Sequence, residues 1–388
     1  MKVIKVCIGE WKNSSHDKRE LAVCRELGAE VQVIAKGNVT DHQETVDGFP
    51  VIRLSTHPFG NRVPVAINRV ASLFTWASYI RKMNDVDVIS GHDISGLLIG
   101  WMSNFFKQKK AKLVYDSHEF TVGRDELSGK LEAKLTYYLE HFLIKRSTFS
   151  IMVNDTIADE VQKIHKLKER PVVAKNAAFL WELNQQEIDK TRDMINSSLG
   201  ITNDDFVIMY HGAIAQHRGI EEMISAMTQV KDVYAIVLGS SETVAYTDSL
   251  KALAAENGIA DRICFYPAVP LEELPNYVAA VNVGMINIRA SSKSFYYMLP
   301  NKFFENIQGM TPIIVSDFPE VARITNQYKI GLTVNPDDIA DIAKAIEQMK
   351  TDTAFYNICK ENLKVAKKEL CWENEKQELK EAYSKILF

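Results

Sequence analysis

Lys302 and Glu305 stand three residues apart within SSKSFYYMLPNKFFENIQGMTPIIVSDFPE, the stretch from Ser291 to Glu320. That spacing puts them on one face of a helical turn. An ammonium near the positive end of a helix suits a phosphate, and an ionised carboxylate suits sugar hydroxyls. A solvated surface Lys–Glu pair is the plainer reading of the same residues. Arg218 is a further cation, near the end of YHGAIAQHRG (Tyr210 to Gly219). A guanidinium there can fork onto a phosphate, and Gly212 leaves the backbone open to close approach. A third group lies in VYDSHEF (Val114 to Phe120), where Asp116, His118 and Glu119 follow an apolar strand. His118 can donate to a sugar hydroxyl or to developing charge. His92, Asp93, Asp116 and Glu119 are candidates for the side of a second substrate, the acceptor.

Other chemistries lack their patterns. No G-x-G-x-x-G follows a strand and no G-x-x-x-x-G-K-[ST] occurs, which removes support for ordinary dinucleotide or P-loop binding. Asp116, Ser117 and His118 are adjacent, so they do not converge as a triad, and there is no G-x-S-x-G elbow. No HExxH or CxxC points to zinc, and no metal or cofactor is expected. The five scattered cysteines fit a reducing compartment. A net charge of −4 without a basic stripe argues against nucleic acid. With no apolar run long enough for a signal or a span, the expected location is cytoplasmic.

The elements around these residues read as α/β. Pro300 starts the helix bearing Lys302, Asn301 can cap it, Gly309 stops it, and Ile313 to Val315 continue as a buried strand. Upstream, strands at Val3–Gly9, Glu30–Ala35, Val51–Leu54, Val86–Ser90, Lys112–Tyr115 and Ser150–Val153 alternate with helices. From Pro171 to Leu199 a charged helical connector intervenes. Strands then resume at Phe206–Tyr210, Tyr234–Leu238, Ile263–Phe265 and Val283–Ile286. The expected fold is two Rossmann-like, doubly wound domains facing across a cleft, with ligands at the strand C-termini. Residues 1–175 form the first, 176–204 the linker and 205–371 the second. A terminal helix at 372–388 is expected to pack back on the first domain.

Several segments together resemble retaining GT-B glycosyltransferases of family 4, the nucleotide-sugar transferases that build bacterial surface glycans. They are HDKRELAVCRELGAEVQVIA, LVYDSHEF, AKNAA, YHGAIAQHRGIEEMI, LPNKFFENIQGMTPIIVSDFPE and CWENEKQELKEAYSKIL. The resemblance implies metal-independent transfer, with retention, from a UDP- or GDP-sugar to a glycan or lipid-linked acceptor. It implies that Arg218 and Lys302 hold the donor diphosphate, that Glu305 takes the ribose hydroxyls and that His118 faces the donor sugar. Gly9 would lie close to donor or acceptor, and Ala268, Val269, Pro270 and Leu274 would border the base. The chain departs from the family twice. Tyr297 stands where the first residue of a Glu-x7-Glu pair is usual, and Ala213 where an arginine often follows the glycine. Phe295 to Leu299, with Pro300 and Asn301 beyond, are therefore expected to line the donor pocket. A sugar-nucleotide epimerase and a non-catalytic nucleotide- or glycan-binding subunit remain as alternatives.

Pro58 to Met83 mixes Phe59, Phe74 and Trp76 with Arg62, Arg69, Arg81 and Lys82, and Trp101 to Lys110 repeats the mixture. Two readings fit: helices with apolar core faces and basic outer faces, or a peripheral seat on the inner face of an anionic membrane.

Overall fold

A computed structural model describes the 388-residue chain except residues 10, 12–14, 38–40 and 124–129. The chain divides into two units, Met1–Lys175 with Lys376–Phe388, and Asn176–Glu375.

The first unit is built on eight strands: β1 Lys2–Cys7, β2 Glu30–Gly37, β3 His42–Val46, β4 Phe49–Ser55, β5 Val88–His92, β6 Lys112–Ser117, β7 Phe149–Met152 and β8 Val172–Val173. Their order is β3-β4-β2-β1-β5-β6-β7-β8, all parallel except the β3–β4 hairpin. The hairpin turns through Asp47 and Gly48, both with positive φ, as an Asp-Gly turn requires. β3 is absent from the expected strands because its residues, HQETV, are mostly exposed and polar. In β1 the flanking Val3, Ile4 and Val6 are fully buried, as a central parallel strand demands. So is Lys5, against every expectation for a lysine.

The second unit carries β9 Phe206–His211, β10 Val233–Leu238, β11 Ile263–Tyr266, β12 Val283–Ile286, β13 Ile313–Ser316 and β14 Gly331–Val334. All are parallel, in the order β11-β10-β9-β12-β13-β14. This is the Rossmann order, and the chain reverses its direction of travel between β9 and β12. Ligands in such sheets bind beyond the strand ends at that reversal. The helix Gln185–Leu199, expected in the linker, lies in this unit and buries Ile188, Ile195 and Leu199 in its core. The Asn184 side chain caps it and left-handed Gly200 ends it.

The last helix, Trp372–Leu387, begins in the second unit, and its residues from Lys376 onward count with the first. Leu379, Tyr383, Ile386 and Leu387 form its buried stripe. Tyr383 also donates a hydrogen bond to the buried Glu20. Among the described residues no helix is long and apolar enough to cross a membrane.

Candidate functional site

In the second unit the functional residues gather where β9 and β12 part. The helix Asn301–Gln308 buries Phe303, Phe304 and Ile307 and so turns its first-turn face to the end of β9. Its N-cap is Pro300, and no side chain caps it. Asn301 is thus the first helical residue and not the expected cap, because the proline ahead already sets the extended entry.

Lys302 is 9% exposed, and its Nζ has no hydrogen-bond partner among the described residues. It rests 3.8 Å from the centroid of the Tyr210 ring, a cation–π contact in place of a hydrogen bond. Burial, with the nearby Arg218 charge, lowers its pKa to about 7 against the opposing pull of Glu305. A buried cation without an acceptor is costly, so this position favours an incoming anion.

Glu305 Oε2 accepts from the His211 ring Nε2 at 2.9 Å. His211 is buried, so it fixes the carboxylate's rotamer. Gly212 follows with φ +118, a conformation costly for any side chain, and a Cβ there would meet the Lys302 ammonium at 3.6 Å. Arg218 is half-buried, its guanidinium 5.1 Å from the Phe295 ring centroid. The next residue, Gly219, has φ +81, and a Cβ on it would strike the Asn287 carbonyl at 2.1 Å. That contact, with Asn287 Nδ2 donating to Gly219 O at 2.8 Å, clamps the Arg218 loop onto the end of β12.

The expected base-side residues follow β11. Ala268 and Pro270 are exposed and Val269 half-buried. Two of the residues expected at the donor face the core instead. Leu274 is packed in the core with Tyr277 and Val278, and Leu299 with Phe303 and Phe304, so neither offers its side chain to a ligand. Tyr297, half-buried, meets Tyr296 with the rings tilted by 53° and their centroids 5.4 Å apart, and Pro300 is half-buried.

The first unit has its own polar centre at the reversal between β1 and β5. Lys5 Nζ binds three fully buried carboxylates: Asp17 at 2.8 Å, Glu20 and Asp116. His118 Nε2 lies 3.0 Å from Asp116 and 3.2 Å from Asp17, and His92 Nδ1 lies 2.9 Å from Asp17. His16 Nε2 reaches Asp116 at 3.2 Å, and the His16 and His92 rings lie 4.5 and 4.0 Å from that of His118. Burial works against a charged His118, but the Asp116 charge and hydrogen bond, with Asp17, raise its pKa to about 10. At neutral pH it is an imidazolium, 20% exposed, with carboxylates behind it.

Asp116, expected on the acceptor side, is enclosed instead. It is 0% exposed beneath His118, so it holds the imidazolium and does not face an acceptor. His92 and Asp93 are half-buried, and Glu119 and Gly9 are exposed beyond β6 and β1. Lys5, His16, Asp17, Glu20 and His211 were not foreseen. Their signal was a lysine inside an apolar strand and acids at helical spacing in HDKRE. Three sets of side chains lie within metal-ligand reach of one another among the described residues, Cys7–Asp17–His92, His16–Asp116–His118 and Asp17–Glu20–Asp116. In the last set the Lys5 ammonium already provides the positive charge.

The family described as glycosyl transferases group 1 matches residues 191–366, which take in the whole of the Arg218–Lys302–Glu305 constellation. An uncharacterized glycosyltransferase of Methanocaldococcus jannaschii is 22% identical over 93% of both chains. The chain also shares its fold with sucrose-phosphate synthase from Thermosynechococcus elongatus. That structure is 17% identical with a TM-score of 0.79, covering 100% of this chain and 99% of the other. The Anabaena HepE structure in complex with UDP-glucose is 15% identical with a TM-score of 0.77, covering 99% and 100%. The architecture is thus that of GT-B glycosyltransferases, and the chain is a transferase enzyme.

Proposed function

We propose that this glycosyltransferase moves a sugar from a nucleoside-diphosphate sugar to a glycan or lipid-linked acceptor, with retention and without a metal. The observation that carries the reading is the buried, unpartnered Lys302 ammonium beside Arg218 and Glu305 at the β9–β12 reversal. Two cations there suit a diphosphate, and a carboxylate steadied by His211 suits ribose hydroxyls. The UDP-glucose held by HepE supports a UDP-sugar as the first donor to try, with a GDP-sugar as the second.

In the transfer, the bond from the anomeric carbon to the diphosphate breaks while one to the acceptor oxygen forms on the same face. Arg218 and Lys302 stabilise the leaving diphosphate as its charge grows, and preorganised charges act most strongly there. The acceptor proton passes to the departing phosphate. Replacing Glu305 by alanine is expected to cost ~2–3 kcal/mol in kcat/KM, the scale of a lost charged hydrogen bond. Steady-state kinetics with UDP-glucose and GDP-mannose as donors checks this. Unchanged kinetics in a folded variant would refute the ribose role.

A peripheral membrane seat is favoured by one feature of the first unit. In the helix Val65–Lys82 the buried positions are Asn68, Ser72, Trp76, Ala77 and Ile80, while Val65, Val70 and Phe74 are exposed. The core-face explanation therefore holds for Trp76 and fails for Phe74 and for the exposed Phe59. Arg62 and Arg69 lie among these apolar residues, the composition of an anionic-membrane face. Phe74→Ser with Val70→Ser is expected to abolish co-sedimentation with phosphatidylglycerol vesicles. Undiminished sedimentation would exclude this face.

A further inference from the structure

The first unit contains a groove that takes no part in the site described above. It encloses about 770 Å³ beside the N-terminal ends of β7 and β8, a size ordinary for a small-molecule site. Its walls are the end of the helix Lys130–Ile144, residues 166–170 and the last helix. Phe149, which lines it, pairs with Val114 across the sheet, four residues short of His118. The groove is thus on the order of 13 Å from that imidazolium along the strands.

The lining has a definite chemistry. Lys145, Lys166, Lys168 and Lys385 all border it, all are exposed, and none forms an ion pair among the described residues. Arg170, on the same rim, is by contrast tied to Asp155 and Asp159 at 2.9 and 2.6 Å. Glu169 is the one acidic residue of the lining. Beneath the lysines the floor is apolar, with Ile144 and Ile386 buried and Phe149 half-buried. The floor's position is fixed by Lys112 Nζ, which donates to Ile386 O at 2.7 Å.

Four uncompensated ammonium groups around one concavity repel each other and attract polyvalent anions. An apolar floor adds affinity only for a ligand with an apolar body. We propose that this groove binds an anionic amphiphile: a phosphate or diphosphate ester carrying an apolar group. The occupant would rest against Phe149, whose ring meets that of Tyr383 edge-on at 5.3 Å. Tyr383 in turn holds Glu20, a member of the cluster behind His118.

The test uses the full chain and three probes: dodecyl phosphate below its micellar concentration, the uncharged dodecyl maltoside, and inorganic pyrophosphate. Calorimetry should find dodecyl phosphate bound most tightly. The triple variant Lys145→Ala, Lys168→Ala, Lys385→Ala should weaken it about tenfold, as loss of several exposed charge contacts would. The lysines are exposed, so the variant keeps the wild-type melting temperature. Ile386→Asn, which removes apolar floor without adding charge, provides a second variant that should weaken dodecyl phosphate but not pyrophosphate. Phosphatidylcholine vesicles with and without phosphatidic acid distinguish the source. Lysine-dependent binding to the acidic vesicles assigns a membrane lipid, and binding of the soluble ester alone assigns a free metabolite. Equal affinity for the maltoside, or an unchanged affinity in the triple variant, would overturn the site.

Discussion

Lys302→Met should leave a well-folded protein that transfers sugar about 10²–10³-fold more slowly, the scale seen when one preorganised donor to a developing anion is removed. The substitution is chosen for its shape. Methionine nearly matches the lysine stem and can lie on the Tyr210 ring as the ammonium now does. It also removes a cation that burial already disfavours, so the melting temperature should hold or rise. Lower activity with undiminished stability separates a ligand-binding charge from a structural one. The same lysine predicts a pH dependence of donor binding. In the free protein its pKa lies near 7, so above that pH the ammonium is mostly lost. A bound diphosphate restores it, and binding therefore takes up a proton. For UDP-glucose or GDP-mannose, whichever binds, affinity should be flat below pH 7. Above it, affinity should fall by at most about tenfold per pH unit. Calorimetry in buffers of different ionisation enthalpy would detect the proton, and Lys302→Met should lose both the uptake and the pH dependence. A pH-independent affinity would mean that the ammonium does not meet the phosphates.

How much of this was legible in the residues depends on which rule governs each one. The parallel strands were, because buried strands such as Ile313–Ser316 and Val283–Ile286 are short apolar runs bounded by turns. β3 and β14 were not, since HQETV and GLTV carry too little apolar character to stand out. Lys302 and Glu305 were legible through helical spacing, and Arg218 through the glycine-rich loop that carries it. Structure adds why they meet: the clamp of Gly219 on Asn287 and the approach of helix Asn301–Gln308 to the end of β9. His211 escaped notice because its role is to hold Glu305, 94 positions away in sequence. Leu274 and Leu299 were assigned to the pocket by position alone, and hydrophobic burial claimed them for the core. Asp116 was read as a polar residue at a strand end, whereas its partner Lys5 lies 111 residues upstream. Local spacing finds residues that act from one element. Pairs brought together by sheet order stay hidden, because the order of strands is not written in any one of them.

Lys5→Met should be the most damaging single change in the first unit. Lys5 is bonded to all three of Asp17, Glu20 and Asp116, each of them fully buried. Its ammonium opposes burial through their charges, which hold its pKa well above the ordinary lysine value. In return it lowers the pKa of Asp17 and Asp116 despite their own burial. Removing one partner of such a cluster costs about 3–5 kcal/mol, because the remaining charges stay desolvated without compensation. For a unit of this size that corresponds to a melting temperature lower by roughly 6–20 °C. The sign of the pH effect follows from linkage. In the native protein Asp17 and Asp116 contribute stability above their unfolded pKa of ~3.9, and that contribution is lost as pH falls. In the variant the orphaned carboxylates cost stability at neutral pH, and protonation relieves the cost as pH falls. Burial without Lys5 raises the pKa of the orphaned carboxylates above ~3.9, so the gap between the two proteins should narrow from about pH 8 toward about pH 5. Adding Asp116→Asn to Lys5→Met should recover part of the loss, since it removes one uncompensated charge while keeping an acceptor for His118. Urea denaturation across that pH range measures all three proteins. A loss below about 1 kcal/mol, the worth of an exposed pair, would show that water reaches the cluster and that His118 is not held by a dry network of charges.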